Sequence, residues 1–422
     1  MQNDLTESVQ ASIRPGEMVD TYYYGETNTQ KQAYPAVVNT RFVQQFTNLG
    51  AGSSQFVISP QGGVSDIILQ FALPASTGSN YTNGALSSGW GYALINRISV
   101  RYGSSAQYFW SGPQMWLENV LDAEVNPKVD AMLQLGGNAG TGAALGNAQA
   151  SVYLKLPHSM CRAQGKPLPF PSDLLVQPIV ITVELFSPTQ IMTNQGASAP
   201  YTAGPTALAS AQLQVKQEML TDSSDLLARR VDMNSHAYTF CLPYFAQQET
   251  TVAVTSDANN SVNSINLTGF RAGEVKHIVC WLTTAATSTA GSGNYQPLAW
   301  QAMTDIQLTY NGEIFNRFDA GSFQLWNTVE DEKTPVVNGL VNQTFGSVAS
   351  TTVVSYYARL DLAQVNQGYD RETKLVHGKP ILNAVVNLQF RAPAASTAYV
   401  LHAMYLYNAS LLCSRGSAEY IF

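Results

Sequence analysis

"INRISVRYGSSAQYFWSGPQMWLENV" (Ile95–Val120) and "MTDIQLTYNGEIFNRFDAGSFQLWNTV" (Met303–Val329) are the two stretches whose comparison decides the fold. In each, an alternating strand ends in Tyr and Gly, as Tyr102-Gly103 and then as Tyr310-Asn311-Gly312. An aromatic-bearing connection follows, and then a short helix-like segment carrying Trp116 or Trp326. The two tyrosines lie 208 positions apart. A second alternating pair, Ile179–Phe186 and Ala384–Phe390, ends 204 positions apart. Two features in one order at nearly one offset predict a duplicated unit of about 200 residues.

Period-two alternation runs through both units. Ile179, Ile181, Val183 and Leu185 point one way while Thr182 and Glu184 point the other. Leu382, Ala384, Val386, Leu388 and Phe390 repeat the pattern, and Ile306, Leu308 and Tyr310 end at Asn311-Gly312, a tight-turn signal. Further strands are expected at Phe56–Ser59, Ile67–Leu73, Ile95–Tyr102, Ser151–Leu156, Leu208–Met219, His236–Leu242, Glu274–Thr283, Val353–Leu362 and Tyr399–Leu411. Strands with one apolar face pair into sheets that must stack, which predicts β-sandwiches. Four long polar connections, Pro74–Gly89, Gly136–Ala148, Gln190–Pro205 and Thr284–Gly293, predict that one end of the molecule is built of loops.

The boundary between units falls after Leu208–Met219, at "TDSSDLLARRVDMN" (Thr221–Asn234). Asp222, Ser223 or Ser224 can cap a helix there, and Asp225 stands four residues before Arg229 in the orientation that supports one. In isolation the Arg229-Arg230 pair invites a phosphate-binding reading. Within a duplicated pattern it reads as part of a structural linker helix, with Asp225, Arg229 and Arg230 as its inter-barrel residues.

Composition narrows the function. Of 422 residues only 12% are charged against 45% hydrophobic, so the surface is one that neighbours can cover at modest desolvation cost. Net charge is −7, with no basic run longer than Arg229-Arg230, which argues against extensive nucleic-acid binding. Cys161, Cys241, Cys280 and Cys413 form no CxxC pair and are expected as buried free thiols. The first twenty residues lack the basic and apolar regions of a signal peptide, and the longest apolar runs fall far short of the roughly 20 residues a membrane helix needs. A soluble protein made in a reducing cytosol is expected.

Catalytic signals are weak. His158, His236, His277, His377 and His402 are scattered singly, and no HExxH, GxSxG or Walker-type motif occurs. His277 and Cys280, three apart in one strand, fall on opposite faces. The glycines of Gly136–Gly146 read as a loop, and Glu330-Asp331-Glu332 as a solvated helix end. Tyr22, Tyr23, Tyr24, Tyr356 and Tyr357 could line a carbohydrate site, though in a large all-β chain such residues mostly fill the core or an interface. The Asn-X-Ser/Thr sites at Asn80, Asn259, Asn266, Asn342 and Asn408 are compositional. No cofactor or metal is expected.

Three passages carry a family resemblance. "LQVKQEMLTDSSDLLARRVDMNSHAYTFCLPYF" (Leu213–Phe245) resembles the inter-barrel junction of the double jelly-roll major capsid proteins of tailless icosahedral DNA viruses, the nucleocytoplasmic large DNA viruses and their relatives. "NGEIFNRFDAGSFQLWNTVEDE" (Asn311–Glu332) resembles a second-barrel passage of that family, with Arg317-Phe318, Phe323 and Trp326. "AYVLHAMYLYNASLLCSRGSAEYIF" (Ala398–Phe422) looks like its closing strand and final turn. The resemblance implies an all-β chain of two consecutive eight-stranded jelly-roll β-sandwiches with short connecting helices and long loops. Its divisions are an N-terminal arm (1–30), a first jelly roll (31–220), a linker helix (221–235) and a second jelly roll (236–422).

What the family implies for function is a non-enzymatic capsid subunit of the virion, assembled in the host cytoplasm or nucleus. It would trimerise into a pseudo-hexagonal capsomer and contact neighbouring capsomers, penton and minor capsid proteins. The N-terminal arm would face the interior, where an internal membrane is a further partner, with no sequence-specific nucleic-acid binding. The rival reading is a two-domain sandwich that binds or cleaves glycans. That reading needs paired carboxylates roughly 5–10 Å apart. Asp305 and Glu313 are candidates on one repeat, but 208 positions earlier the other repeat has Arg97 and Ser105 and no acidic counterparts.

Overall fold

Ile179, Ile181, Val183 and Leu185 share one side of an extended segment, and in the computed structural model all four are buried in the middle of a sheet. The structure describes residues 37–74, 84–86, 89–121, 140–141, 151–156, 161–163, 166–168, 170–194, 204–220, 237–240, 244–252, 262–270, 273–301, 303–318, 357–362, 379–380, 383–391, 398–407 and 409–421. Eight strands build the first half: β1 (Val37–Gln45), β2 (Gly52–Ile58), β3 (Gly63–Ala72), β4 (Ile95–Tyr102), β5 (Tyr108–Trp110), β6 (Ser151–Lys155), β7 (Ile179–Leu185) and β8 (Ser210–Leu220). Eight more build the second: β9 (Tyr244–Val252), β10 (Val262–Leu267), β11 (Glu274–Thr284), β12 (Thr304–Tyr310), β13 (Glu313–Phe318), β14 (Tyr357–Asp361), β15 (Val386–Arg391) and β16 (Tyr399–Tyr407).

Pairing defines the topology. In the first half β1 pairs β8, β2 pairs β7, β3 pairs β6 and β4 pairs β5, all antiparallel. That is one long antiparallel ribbon. It rolls up because β8 also pairs β3 and β7 also pairs β4, leaving two sheets in the orders β1-β8-β3-β6 and β2-β7-β4-β5. The second half repeats the scheme, with sheets β9-β16-β11-β14 and β10-β15-β12-β13. Two eight-stranded jelly rolls result.

The duplication is metric as well as topological. The first seven strands of the second roll begin 205 to 211 positions after their counterparts. The eighth begins only 189 positions later, Tyr399 against Ser210, because the first roll carries the longer connection between its seventh and eighth strands. Even a minor strand is copied: Phe170–Pro171 caps the edge of β3 as Lys379–Pro380 caps that of β11.

Burial follows the expected faces. Leu69, Phe71, Leu213, Val215, Val152 and Leu154 meet Phe56, Ile181, Val183, Ile98 and Val100 inside the first roll. Val386, Leu388 and Phe390 do the same in the second, while Asn387 turns outward and donates to Asn266 Oδ1 at 3.0 Å. At the β12–β13 hairpin, Asn311 and Gly312 both have positive φ (51° and 85°), as the tight-turn signal required. The strand expected from Leu382 begins at Val386, because Asn311 takes Val385 out of the ladder with two bonds of 2.9 Å.

In an up-and-down chain, connections after odd-numbered strands gather at one end of a roll. All four long connections picked out by composition follow odd strands: β3, β5, β7 and β11. Three of them meet in a small sheet, Thr193–Asn194 with Gly84–Leu86 and Gly140–Thr141. One end of the molecule is built of loops.

Several strands lay outside the sequence expectations: β1, β5, β9, β10 and β13. All five are sheet edges. Their alternation is blurred, because an edge strand rarely buries a whole face. β5 and β13, expected as aromatic connections, are the fifth strands of their rolls. The segment expected as one strand, Tyr399–Leu411, splits into β16 and the first strand of a C-terminal hairpin, β17 (Ser410–Ser414) and β18 (Ser417–Ile421). The strand Ala237–Phe240 joins that hairpin by pairing with β17 and belongs to neither jelly roll.

Candidate functional site

Among the described residues the most elaborated feature is the seam along which the two rolls share one hydrophobic core. The seam has three levels.

At the short-connection end, β5 lies against β9, the first strand of the second roll. Tyr108 of β5 meets Tyr244 of β9 edge-on, with centroids 6.0 Å apart, and Tyr420 of β18 at 6.1 Å. Tyr244 also meets Tyr420 at 5.2 Å and Tyr407 at 5.9 Å, while Tyr102 stacks on Tyr108 from the first roll at 6.3 Å. Burial pushes the Tyr108 hydroxyl well above its ordinary pKa, so it stays neutral. The hairpin turn is tied down beside this cluster. Ser104 Oγ donates to Ala418 O at 3.0 Å and accepts from Ala418 N–H at 3.0 Å. Val176 N–H donates to Gly416 O at 2.9 Å. Gly416 has φ 78°, and a Cβ on it would stand 2.2 Å from Val176 Cγ2. The closing turn needs glycine for conformation and for space.

At mid-height, helix α1 (Gly112–Leu121) presents Trp116 to Trp300 at 5.1 Å and 80°. Trp300 in turn leans on Trp281 of β11 at 5.6 Å. All three indoles are at most 3% exposed. Edge-to-face pairs of this kind add roughly 0.5–1.5 kcal/mol beyond area burial. The start of α1 is wedged against the short helical turn Trp90–Ala93: a Cβ on Gly112 would lie 1.8 Å from Tyr92 O.

At the loop end, Phe186 meets Tyr295 at 5.6 Å and Gly291 N–H donates to Gln190 O at 2.8 Å. Loop end therefore meets loop end, and the two rolls stand side by side pointing the same way.

One hydrogen-bond chain has the order of a hydrolase relay. Thr283 Oγ1 lies 2.9 Å from His402 Nε2, and His402 Nδ1 lies 3.3 Å from Glu249 Oε1. The His402 hydrogen bond holds the Glu249 carboxyl below its ordinary pKa. Yet Thr283 is 1% exposed and the imidazole is stacked on Trp281, 5.3 Å away and 7° off parallel. A hydroxyl with no exposed surface takes no acyl substrate. The chain is a satisfied, partly buried histidine on the outward side of the β9-β16-β11-β14 sheet.

Other expectations sort as follows. Asp225, Arg229 and Arg230 lie outside the described residues, as do the whole linker helix 221–235, the arm 1–30, Glu330-Asp331-Glu332, Tyr22–Tyr24, Tyr356 and Trp326. His277 and Cys280 occupy opposite faces of β11, as their spacing required. Cys280 and Cys413 are free and buried. Burial pushes the Cys280 thiol up to about 12 and that of Cys413 higher still. The aromatics Tyr108, Tyr244, Tyr420, Trp116 and Trp300 fill the interface between the rolls. Which aromatics meet across the seam had no sequence signal beyond their abundance. Ser104 had none at all, whereas the turn at Gly416 was expected from the family resemblance of the C-terminal passage.

Comparison with known proteins places the fold. No protein-family model matches the chain, and no curated protein does. Among solved structures, VP54 of PBCV-1, fitted into a reconstruction of the virophage Sputnik, superposes with a TM-score of 0.60 at 14% identity, over 94% of this chain and 99% of that one. The Faustovirus major capsid protein gives 0.53 at 10% identity over 92% of both chains. The atomic structure of Sulfolobus Turreted Icosahedral Virus gives 0.52 at 12%, over 88% of this chain and 90% of that one. The double jelly-roll fold is shared end to end with viral capsid proteins.

Proposed function

We propose that the chain is the major subunit of an icosahedral viral capsid, a structural protein without catalytic activity. One observation carries the reading: two jelly rolls of one design are fused side by side into a single block, loop ends together, through a continuous aromatic seam. Three such blocks around a threefold axis present six similar units, a pseudo-hexagonal tile. The low charge of the chain suits broad faces that neighbours cover, and the loop end suits an outer surface where length variation is tolerated. Full-length superposition on capsid proteins supports the same reading, and the glycan alternative has no comparable support.

On this reading the chain works as a homotrimer in contact with neighbouring capsomers, penton and minor capsid proteins. The N-terminal arm (1–30) faces the interior and its membrane or genome. Between the rolls (31–220 and 236–422), residues 221–235 form the linker helix, with Asp225 pairing Arg229 and Arg230 beside them. Arg229→Ala then weakens inter-roll packing or the trimer and leaves nucleic-acid affinity unchanged. The decisive test is light scattering of the purified protein at micromolar concentration, with electron microscopy of the same sample. Trimers forming pseudo-hexagonal tiles are expected; a strictly monomeric species at every concentration overturns the reading.

A further inference from the structure

The hairpin of β17 and β18 follows the sixteenth strand in the chain and adds no strand to either sandwich. Among the described residues its ladders run only between its own two strands and to Ala237–Phe240, which precedes the second roll. Yet it touches both rolls. The first roll holds it through the two 3.0 Å bonds between Ser104 and Ala418, and through the 2.9 Å bond from Val176 N–H to Gly416 O. Tyr420 lies against Tyr108 of the first roll and Tyr244 of the second. An element that belongs to neither roll and binds both is placed to join them.

We propose that residues 410–421, together with Ala237–Phe240, form a clasp that closes the short-connection end of the seam after both sandwiches are complete and opens as a unit while the sandwiches stay folded. The proposal stands on this packing and is independent of the shell reading.

Local chemistry makes the hairpin, and the rolls hold it. Ser414 and Ser417 are directly opposite, so Arg415-Gly416 is a two-residue turn, with φ of 51° and 78°. Positive φ at both positions matches the twist of the flanking strands, and Ser417 Oγ donates across the turn to Ser414 O at 2.6 Å. Such a hairpin forms within microseconds but is marginal alone. What it buries is one row of two cross-strand pairs, Leu411 with Tyr420 and Cys413 with Ala418, each at most 6% exposed. The other row has Ser417, Glu419 and Ile421 in solvent. The central strands of the rolls, β3, β8, β11 and β16, are paired on both sides and buried far more completely. A small one-sided element docked on such cores is the unit that opens first. Chain order delivers it after β16, onto rolls that already hold all their strands. When it opens, the tryptophan ladder and the Phe186–Tyr295 contact still hold the rolls together higher up the seam.

Two buried thiols report separately on clasp and roll. Cys413, 2% exposed, is on β17, while Cys280, 0% exposed, is on β11, an interior strand of the second roll. The full chain is alkylated with iodoacetamide under native conditions, and peptide mass mapping follows each cysteine. Gly416→Ala puts a side chain in the left-handed region with its Cβ 2.2 Å from Val176 Cγ2. Cys413 should then react at least about tenfold faster than in wild type, with Cys280 unchanged. Ser104→Ala, on the first roll and 314 positions from Ala418, removes both bonds to the hairpin and should speed Cys413 about fivefold. Gly312→Ala is the control: it strains the same kind of turn in β12–β13, at φ 85° with nothing within 4 Å of its Cβ, and should leave both rates at wild type. Circular dichroism checks folding, and the milder Ser104→Ala decides alone if Gly416→Ala does not fold. Cys280 accelerating in step with Cys413 would mean that the hairpin opens only with the rolls, and overturns the proposal. So does a Cys413 rate that Ser104→Ala leaves unmoved, because the hairpin is then not held by the first roll.

Discussion

If the rolls are locked by the tryptophan ladder, Trp116 and Trp300 must be energetically coupled. Trp116→Ala and Trp300→Ala each empty a site at most 3% exposed, and removing a buried indole costs about 3–5 kcal/mol. Those figures overstate the seam, because Trp300 also leans on Trp281 and donates from Nε1 to Pro297 O at 3.1 Å. The double mutant isolates the pair. With centroids 5.1 Å apart at 80°, the rings should be coupled by about 0.5–1.5 kcal/mol, so the double mutant should lose less than the sum by that amount. Urea unfolding followed by far-ultraviolet circular dichroism gives all four corners of the cycle. Because the two rolls share one core, wild type should unfold in a single transition. Additivity within about 0.3 kcal/mol, or two well-separated transitions, would refute the fused-block argument.

Three further outcomes are expected. Gly112→Ala should lower stability by more than about 2 kcal/mol in thermal melts, because its Cβ meets backbone, Tyr92 O at 1.8 Å, where nothing flexible can yield. Cys280 and Cys413 should resist a thiol reagent at pH 8 in the native protein and react promptly in denaturant, since burial raises both thiols far above that pH. Glu249→Gln should lose a pH-dependent increment. The folded carboxyl sits below its ordinary value, so its contribution is complete above the usual carboxylate range, about pH 4, and disappears as pH falls through the lower folded value. Wild type and Glu249→Gln should therefore differ in melting temperature at pH 6 and converge in strong acid.

The central strands were legible in the sequence because burial on one side imposes a strict alternation. Ile179 to Leu185 and Val386 to Phe390 can be read as strands by eye, and their spacing exposes the duplication. The edge strands β1, β9 and β13 could not be read. Where their side chains are described both faces are partly exposed, and their sequences mix Gln, Thr and Arg with Phe and Val. The same physics hid the seam. Its chemistry sits at roll edges, where sequence pattern is weakest.

By itself the sequence determined an all-β chain of two like units, low in charge, with long loops gathered at one end. Local alternation and turn chemistry suffice for that, since each acts over a few neighbouring residues. Only the tertiary structure decided which surfaces of the two units meet. Tyr108 finds Tyr244 and Tyr420, and Ser104 clasps Ala418 from 314 positions away, because folding brings an edge of one roll onto a face of the other. No periodicity encodes a contact at that separation. Shape and burial across the whole block select it.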